Sequence, residues 1–352
     1  MTDVSDCLVS FYRGLICDLD GVVYRGSNAV PHAVDSLAEA QRGGIGVVYA
    51  TNNASRPPRE VADQLRALGL VLEERAVVTS AQAGAAYLAG VLPAGSRVLA
   101  VGGPGVAQAL SAAGLQAVSG ADSSGGEKVS AVLQGYGRDV SWTDLAEAAY
   151  AISEGALWVA SNTDLTIPTA RGLAPGNGSL VGAVRQAVKI DPIVVGKPQT
   201  ALYELSASVL HGELTEVLAL GDRLDTDIEG ANKAGIDSLF VLTGVNNVAD
   251  VVMSPELLRP RYIASDLRSL MTPYAEPTVN SDGKTATARC ADAEVIVGTK
   301  GVESLAGDPE SAMRTFVSAA WMAQDAGILR DQDEIRRAAD AVQDAARRAA
   351  QG

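Results

Sequence analysis

Histidine is nearly missing from this chain of 352 residues, which carries only His32 and His211. Neither stands near a motif, so a Ser-His-Asp triad and a His-ligated zinc centre are all but excluded. Cysteine is scarce as well: Cys7, Cys17 and Cys290 are too few and too scattered for a disulfide framework or a zinc site. A reducing cytoplasm is the compartment they imply. Cys17, inside an apolar run, reads as a small buried core residue. Positive charge is short, because 28 Lys and Arg against 42 Asp and Glu leave a net charge of −14. That removes the basic footprint on which nucleic-acid binding depends. No apolar run approaches the roughly 20 residues of a membrane span, and the first residues, with Asp3 and Asp6, lack the basic start of a signal peptide. The expectation is a soluble, cytoplasmic protein with neither a nucleic-acid nor a membrane partner.

Aromatic residues make up only 4% of the chain although hydrophobic residues reach 47%, so the core is expected to pack small aliphatic side chains. The length allows two or three domains. Within it, Cys17-Asp18-Leu19-Asp20-Gly21 places two carboxylates two residues apart where the apolar run Leu15-Ile16-Cys17 ends. If that run is a buried strand, Asp18 and Asp20 sit at its carboxyl end, where open α/β sheets bind ligands. Two carboxylates there suit a hard cation and a phosphate. The glycine after Asp20 predicts a turn that re-aims the second carboxylate.

Three further apolar runs close on polar motifs. Gly46-Val47-Val48-Tyr49-Ala50 ends at Thr51-Asn52-Asn53, Pro192-Ile193-Val194-Val195 at Gly196-Lys197-Pro198, and Val217-Leu218-Ala219-Leu220 at Gly221-Asp222-Arg223-Leu224-Asp225-Thr226-Asp227. Taken singly, Thr51-Asn52-Asn53 reads as an ordinary turn and Lys197 as a surface lysine. Four such features, each ending a strand-like run and in this order, point to one crevice holding acids, a hydroxyl, amides and a lysine.

These four motifs, D-x-D, Thr, Lys and the acidic loop Gly221-Asp222-Arg223-Leu224-Asp225-Thr226-Asp227, resemble those of the haloacid dehalogenase superfamily of phosphatases. The wording DLDGVVYRG, TNN, GKP and GDRLDTDI is similar to the subfamily of p-nitrophenyl, phosphoglycolate, glycerol 3-phosphate and pyridoxal phosphate phosphatases. The resemblance spans roughly residues 10 to 273. It implies an α/β fold: a Rossmann-like core with a parallel sheet over residues 1–80 and 191–274, and an inserted α/β cap over 81–190. The insert carries strand signals of its own, such as Arg97-Val98-Leu99-Ala100-Val101, Ser130-Ala131-Val132-Leu133 and Leu157-Trp158-Val159-Ala160. Its Gly102-Gly103-Pro104-Gly105-Val106 fails the dinucleotide-loop spacing and reads as a plain strand-to-helix turn. After Asn53, Ser55-Arg56-Pro57-Pro58 predicts a helix capped by Ser55, buried through Val61, Leu65 and Leu68 and stopped at Gly69.

From residue 275 the character changes. Residues 277–297 predict a short β-rich unit with an Asp282-Gly283 turn, and two helices are predicted over 309–326 and 331–350. This small C-terminal α+β appendage is similar to the partial acetyltransferase extension of some family members. Gly298-Thr299-Lys300-Gly301 does not match the pyrophosphate loop that acetyl transfer needs, so packing or regulation is its expected role.

By the resemblance, Asp18 attacks phosphorus to form an aspartyl-phosphate, and Asp20 protonates the leaving oxygen and then deprotonates water. The implied cofactor is Mg²⁺, held by the Asp18 carboxylate, the Asp20 backbone carbonyl and Asp222, with Asp227 outside the ligand set. Asp225 is expected to be solvated. Thr51, Asn52 and Lys197 are expected to bind phosphate and Asn53 to brace the Asp20 loop, while Asn162 and Asp164 in the cap contact substrate. The partner is a small phosphorylated metabolite, glycerol 3-phosphate first, then phosphoglycolate, pyridoxal phosphate and nucleotides. A homodimer through the cap is a further expectation. A phosphomutase and a phosphate-metabolite sensor or scaffold are the competing readings; the cap's place in the chain disfavours the first, and the intact nucleophile and acid disfavour the second.

Overall fold

The computed structural model describes residues 7–120, 128–169, 171–329 and 331–351. The reading made of Asp3 and Asp6 lies outside them. The chain divides into two compact units, Met1–Gly46 with Thr215–Gly352, and Val47–Leu214. Among the described residues no helix is long and apolar enough to cross a membrane.

In the first unit, strands Gly14–Cys17, Val217–Gly221, Asp237–Val241 and Tyr262–Ala264 run parallel, with Cys17 beside Leu220, Leu220 beside Leu239 and Leu239 beside Tyr262. Gly14–Cys17 and Val217–Gly221 are buried at every position. Strands covered on both faces require continuous apolar runs, which is why these segments stand out in the sequence. Because the strands share one direction, the loops that follow Cys17, Gly221 and Val241 leave from the same edge of the sheet.

The C-terminal part of this unit is an antiparallel sheet of Thr278–Ser281, Ala286–Cys290, Ala293–Gly298 and Gly301–Ala306, followed by helices Pro309–Asp325 and Gln332–Gln351. Ala286, Ala288 and Cys290 alternate inward with the period of two that one covered face demands. Asp308 caps the first helix, accepting from the backbone N–H of Glu310 and Ser311 at 3.1 and 3.2 Å. The strand Gly301–Ala306 is absent from the sequence reading, since all but its first two residues are exposed and it carries no apolar alternation. Gly298-Thr299-Lys300-Gly301 is the hairpin turn leading into it, with Gly298 paired to Gly301. Side chains of this region, among them Val295, Phe316, Ala320 and Ile335, merge into one apolar core with Leu224, Ile228, Phe240 and Val251.

The second unit has its own parallel sheet in the order Ile193–Val194, Leu157–Ala160, Ala131–Gln134, Arg97–Val101, Gln116–Val118. Leu99, Val132, Trp158, Ile152 and Val181 lie in its core. Gly102, at φ 144°, turns the strand Arg97–Val101 into the helix Pro104–Ala112, as the sequence predicts. Besides this five-stranded sheet, Gly46–Thr51 pairs in parallel with Val77–Thr79. The predicted cap at Ser55 is corrected: the helix runs Pro58–Ala67 from Pro57, and no side chain caps it. Two consecutive prolines delay the helix start, and Ser55 instead donates its N–H and hydroxyl to Asn53 Oδ1 at 2.9 and 2.7 Å.

Candidate active site

The acidic cluster arises from register. With Cys17 beside Leu220, the residues after each strand end, Asp18 and Asp222, meet at one edge, and Asp18 N–H donates to Leu220 O at 2.9 Å. Gly221 and Asp222 then lead into a single wide helical turn, Leu224–Ile228, in which Ile228 N–H reaches back to Arg223 O at 3.1 Å. Turns of this width recur at functional sites because they re-aim one residue. Here the turn returns Asp227, whose Oδ2 accepts from the backbone N–H of Asp222 at 3.2 Å and Arg223 at 3.1 Å. Carboxylate oxygens of Asp18, Asp222 and Asp227 all lie within 4.8 Å of one another, with Asp18 half-buried and the other two buried.

Hydrogen bonds and close glycine contacts hold Asp222 and Asp227 in this arrangement. Asp222 Oδ2 accepts from Val245 N–H at 2.7 Å, and Asp222 O accepts from Asn246 N–H at 3.2 Å. A Cβ at Gly21 or Gly244 would overlap the Asp222 carboxylate, and one at Gly221 would overlap Asp227. Gly21 is also in the left-handed region, at φ 89°. Its carbonyl accepts from Thr243 Oγ1 at 2.7 Å, which fixes the turn carrying Asp20. Asp20 itself is exposed, paired with Tyr24 across that turn, and its carboxylate is not part of the group of three. Asp225 is exposed and ion-paired to Arg223 at 2.9 Å.

Three carboxylates this close repel one another when two of them are out of water, and a bound cation removes that cost. An all-oxygen donor set suits a hard divalent ion such as Mg²⁺. The residues therefore fit the cofactor that the sequence implies, through Asp18 and Asp222 with Asp227 beside them.

The second unit gathers the remaining candidates. Thr51 ends its strand buried, its Oγ1 accepting from Asn53 N–H at 3.1 Å. Asn52 clasps the main chain of Lys197 from both sides: its Oδ1 accepts Lys197 N–H at 2.8 Å and its Nδ2 donates to Lys197 O at 3.0 Å. The same Nδ2 lies 3.3 Å from Asp164 Oδ2. Lys197 is buried and its Nζ donates to Ala50 O at 3.3 Å. Asn53 closes a local turn onto Ser55. Asn162 is buried, with Nδ2 donating to Asn52 O at 2.7 Å and Oδ1 accepting Asp164 N–H at 3.1 Å. Its amide thus holds neighbouring loops, whereas Asp164 is half-buried.

The sequence reading overlooked Thr243, Gly244, Val245 and Asn246. They end the apolar run Leu239-Phe240-Val241-Leu242, the same signal that marked the other motifs. Ser80, whose hydroxyl donates to Asn52 O at 2.6 Å, carries no comparable signal.

Comparison with known proteins agrees with this geometry. The haloacid dehalogenase-like hydrolase family matches residues 15–116, and the HAD-hydrolase-like family matches 194–270. The chain is 44% identical over 321 residues to the D-glycerol 3-phosphate phosphatase of Mycobacterium tuberculosis, covering 89% of this chain and 87% of that protein. It is 35% identical to a 5'-nucleotidase of Bacillus subtilis over 66% of this chain and 88% of that protein. Among solved structures, a glycerol phosphate phosphatase from Mycobacterium tuberculosis in complex with magnesium superposes with a TM-score of 0.78 at 40% identity, covering 95% of this chain and 97% of that one. A p-nitrophenyl phosphatase from Archaeoglobus fulgidus has a TM-score of 0.67 at 25% identity, covering 74% of this chain and 98% of that one.

Proposed function

The chain belongs to the haloacid dehalogenase-like hydrolases, a phosphomonoester hydrolase among phosphatase relatives, and from that premise we propose that it releases phosphate from glycerol 3-phosphate with Mg²⁺ as cofactor. The observation that carries this reading is the meeting of Asp18, Asp222 and Asp227 at one sheet edge. The substrate choice is supported by the relative that shares 44% of its residues over most of both chains. Phosphoglycolate, pyridoxal phosphate and nucleotides are the competing esters.

In the proposed reaction an Asp18 carboxylate oxygen attacks phosphorus, the ester P–O bond breaks, and the leaving alkoxide takes a proton from Asp20. Asp20, now a carboxylate, removes a proton from water. The water oxygen attacks phosphorus, restoring Asp18 and releasing inorganic phosphate. An exposed Asp20 on a braced turn suits a group that must exchange protons with substrate and solvent. Asp18, Asp222 and the Asp20 carbonyl would hold Mg²⁺, which when bound would neutralise charge on the phosphoryl oxygens. Asp227 holds the Asp222 main chain in place.

We assign Thr51, Asn52 and Lys197 to the phosphoryl group. Their support is motif order together with local construction: a hydroxyl at a strand end and a buried ammonium whose backbone Asn52 fixes. Asn53 is assigned to support of the phosphate loop, Asp164 to substrate contact, and Asn162 to holding Asn52 and Asp164. Functionally we divide the chain as catalytic residues 1–80 and 191–274, a substrate-selecting cap at 81–190 and the tail 275–352. A homodimer through the cap is supported by exposed Trp142 and Tyr150 on the helix Trp142–Ser153; sedimentation of Trp142→Glu beside the parent tests it.

The test of substrate is phosphate release from each ester, with Mg²⁺ or with excess chelator and with Asp18→Asn as the blank. Metal-dependent and Asp18-dependent release, with the highest kcat/KM on glycerol 3-phosphate, is the expected result. A higher kcat/KM on another ester would reassign the substrate.

A further inference from the structure

The tail reaches the acidic site through a five-residue helix. Helix Val248–Val252 is too short to stand alone, since one helical turn fixes several residues for a single hydrogen bond and leaves its ends unsatisfied. Asn247 and Asp250 form a capping box at its start. The tail supplies partners at both ends: Gln343 Oε1 accepts Val248 N–H at 2.7 Å, Trp321 Nε1 donates to Val251 O at 3.0 Å, and Gln324 Nε2 donates to Val252 O at 3.0 Å. Gln343 and its bond are buried, in a helix otherwise amphipathic and charged.

From this helix the bonds continue to the metal-binding carboxylates. Asp250 Oδ2 accepts from Asn246 Nδ2 at 3.1 Å, and Asn246 Oδ1 accepts Leu224 N–H at 2.9 Å at the start of the wide turn that carries Asp227. Asn246 N–H and Val245 N–H then hold the carbonyl and carboxylate of Asp222. Leu224, Ile228 and Val251 share the apolar core of Phe316 and Ile335, so the loop and the tail also pack as one body.

We infer that the C-terminal tail is a positioning element for the metal site, with Gln343, Trp321 and Gln324 fixing helix Val248–Val252 and Asn246 relaying that order to Asp222 and the Asp227 turn. This rests on Asp222 being a Mg²⁺ ligand. A partner outside the ligand set that orients a ligand sets metal affinity as well as stability. The tail would then act on metal affinity, independently of the ester that is bound.

The full-length, metal-free enzyme is titrated with Mg²⁺ by calorimetry, and its melting temperature is read with and without the ion. Gln343→Met keeps length but removes the acceptor, Gln343→Glu restores an acceptor, and Asn246→Ala breaks the relay. Asn246→Ala is expected to weaken Mg²⁺ binding by about 10- to 100-fold and Gln343→Met by about tenfold. Gln343→Glu should stay within about threefold of the parent, and KM for p-nitrophenyl phosphate at saturating Mg²⁺ should be unchanged in both Gln343 variants. If Gln343→Met does not fold, Trp321→Phe combined with Gln324→Met removes the donors at the other end and is read the same way. Parent-like Mg²⁺ affinity in these variants, with only a lowered metal-free melting temperature, would reduce the tail to packing and overturn the inference. A parent that binds no Mg²⁺ would overturn it together with the metal-site assignment. Weakened binding in an enzyme inactive on every ester tested would leave the inference standing and remove only the substrate reading.

Discussion

Gly244 offers a sharp perturbation, because it touches the metal site without being a ligand. A methyl group at Gly244 would sit within the envelope of the Asp222 carboxylate, where ordinary contact begins at 3.4 Å. Asp222 is fully buried and short, and Val245 N–H pins its Oδ2 at 2.7 Å. The carboxylate must therefore move on the order of 1 Å, a displacement that at a catalytic site costs about a hundredfold in rate. Losing the charge-assisted bond from Val245 adds a stability cost of about 1.5–3 kcal/mol. Gly244→Ala is thus expected to lose about a hundredfold in kcat/KM on p-nitrophenyl phosphate, to need more Mg²⁺ and to melt at a lower temperature. Gly90→Ala serves as the control, since nothing lies within 4 Å of its Cβ and it sits in the helix Ser80–Val91. It should gain about 0.5–1 kcal/mol with unchanged activity. Parent-like kcat/KM and Mg²⁺ dependence in Gly244→Ala would refute the placement of Asp222 at the reacting centre.

Other outcomes follow from the same geometry. Asp222→Asn should shift the Mg²⁺ midpoint of activity upward by about tenfold or more; a titration superimposable on the parent's would remove Asp222 from the ligand set. Asp325 on the tail accepts from Arg259 at 2.6 and 2.7 Å, and that bond holds its carboxyl below the usual range. A folded-state value below the unfolded one adds stability above the usual carboxylate range, and this is lost as pH falls through the folded value. Asp325→Asn should therefore reduce stability at neutral pH by less than about 1 kcal/mol, since the Asp325 end of the pair is exposed, with a lower melting temperature there, and match the parent at the acid end. A difference that persists unchanged into acid would place its cause outside the ion pair.

The candidate residues that could be read from sequence are those that close apolar, strand-like runs. Asp18 and Asp222 end uninterrupted apolar runs, and Thr51 and Lys197 end two more. Leu242-Thr243-Gly244-Val245 ends a run just as plainly, yet it bears no charge, and its value lies in a backbone N–H and a missing Cβ, which sequence does not display. Ser55 has the chemistry of a helix cap, but Asn53 captures it first. Asn162 looks like a substrate-facing amide; which oxygen an amide meets depends on chain folding, and here it is Asn52 O. Gln343 is one polar residue in a charged helix, and its partner lies 95 residues away. Strand Gly301–Ala306 is an exposed edge without alternation, so no period betrays it.

Asp20→Asn with p-nitrophenyl phosphate tests the assignment of Asp18 as a nucleophile served by Asp20. The p-nitrophenolate group leaves without a proton, so the first half-reaction should proceed, while water attack lacks its base. A rapid-mixing trace should show a burst of about one p-nitrophenolate per chain followed by slow turnover. Acid-quenched protein should carry a phosphoryl group on Asp18. Steady release without a burst, together with an unmodified Asp18 and an Asp18→Asn variant that still turns over, would contradict it.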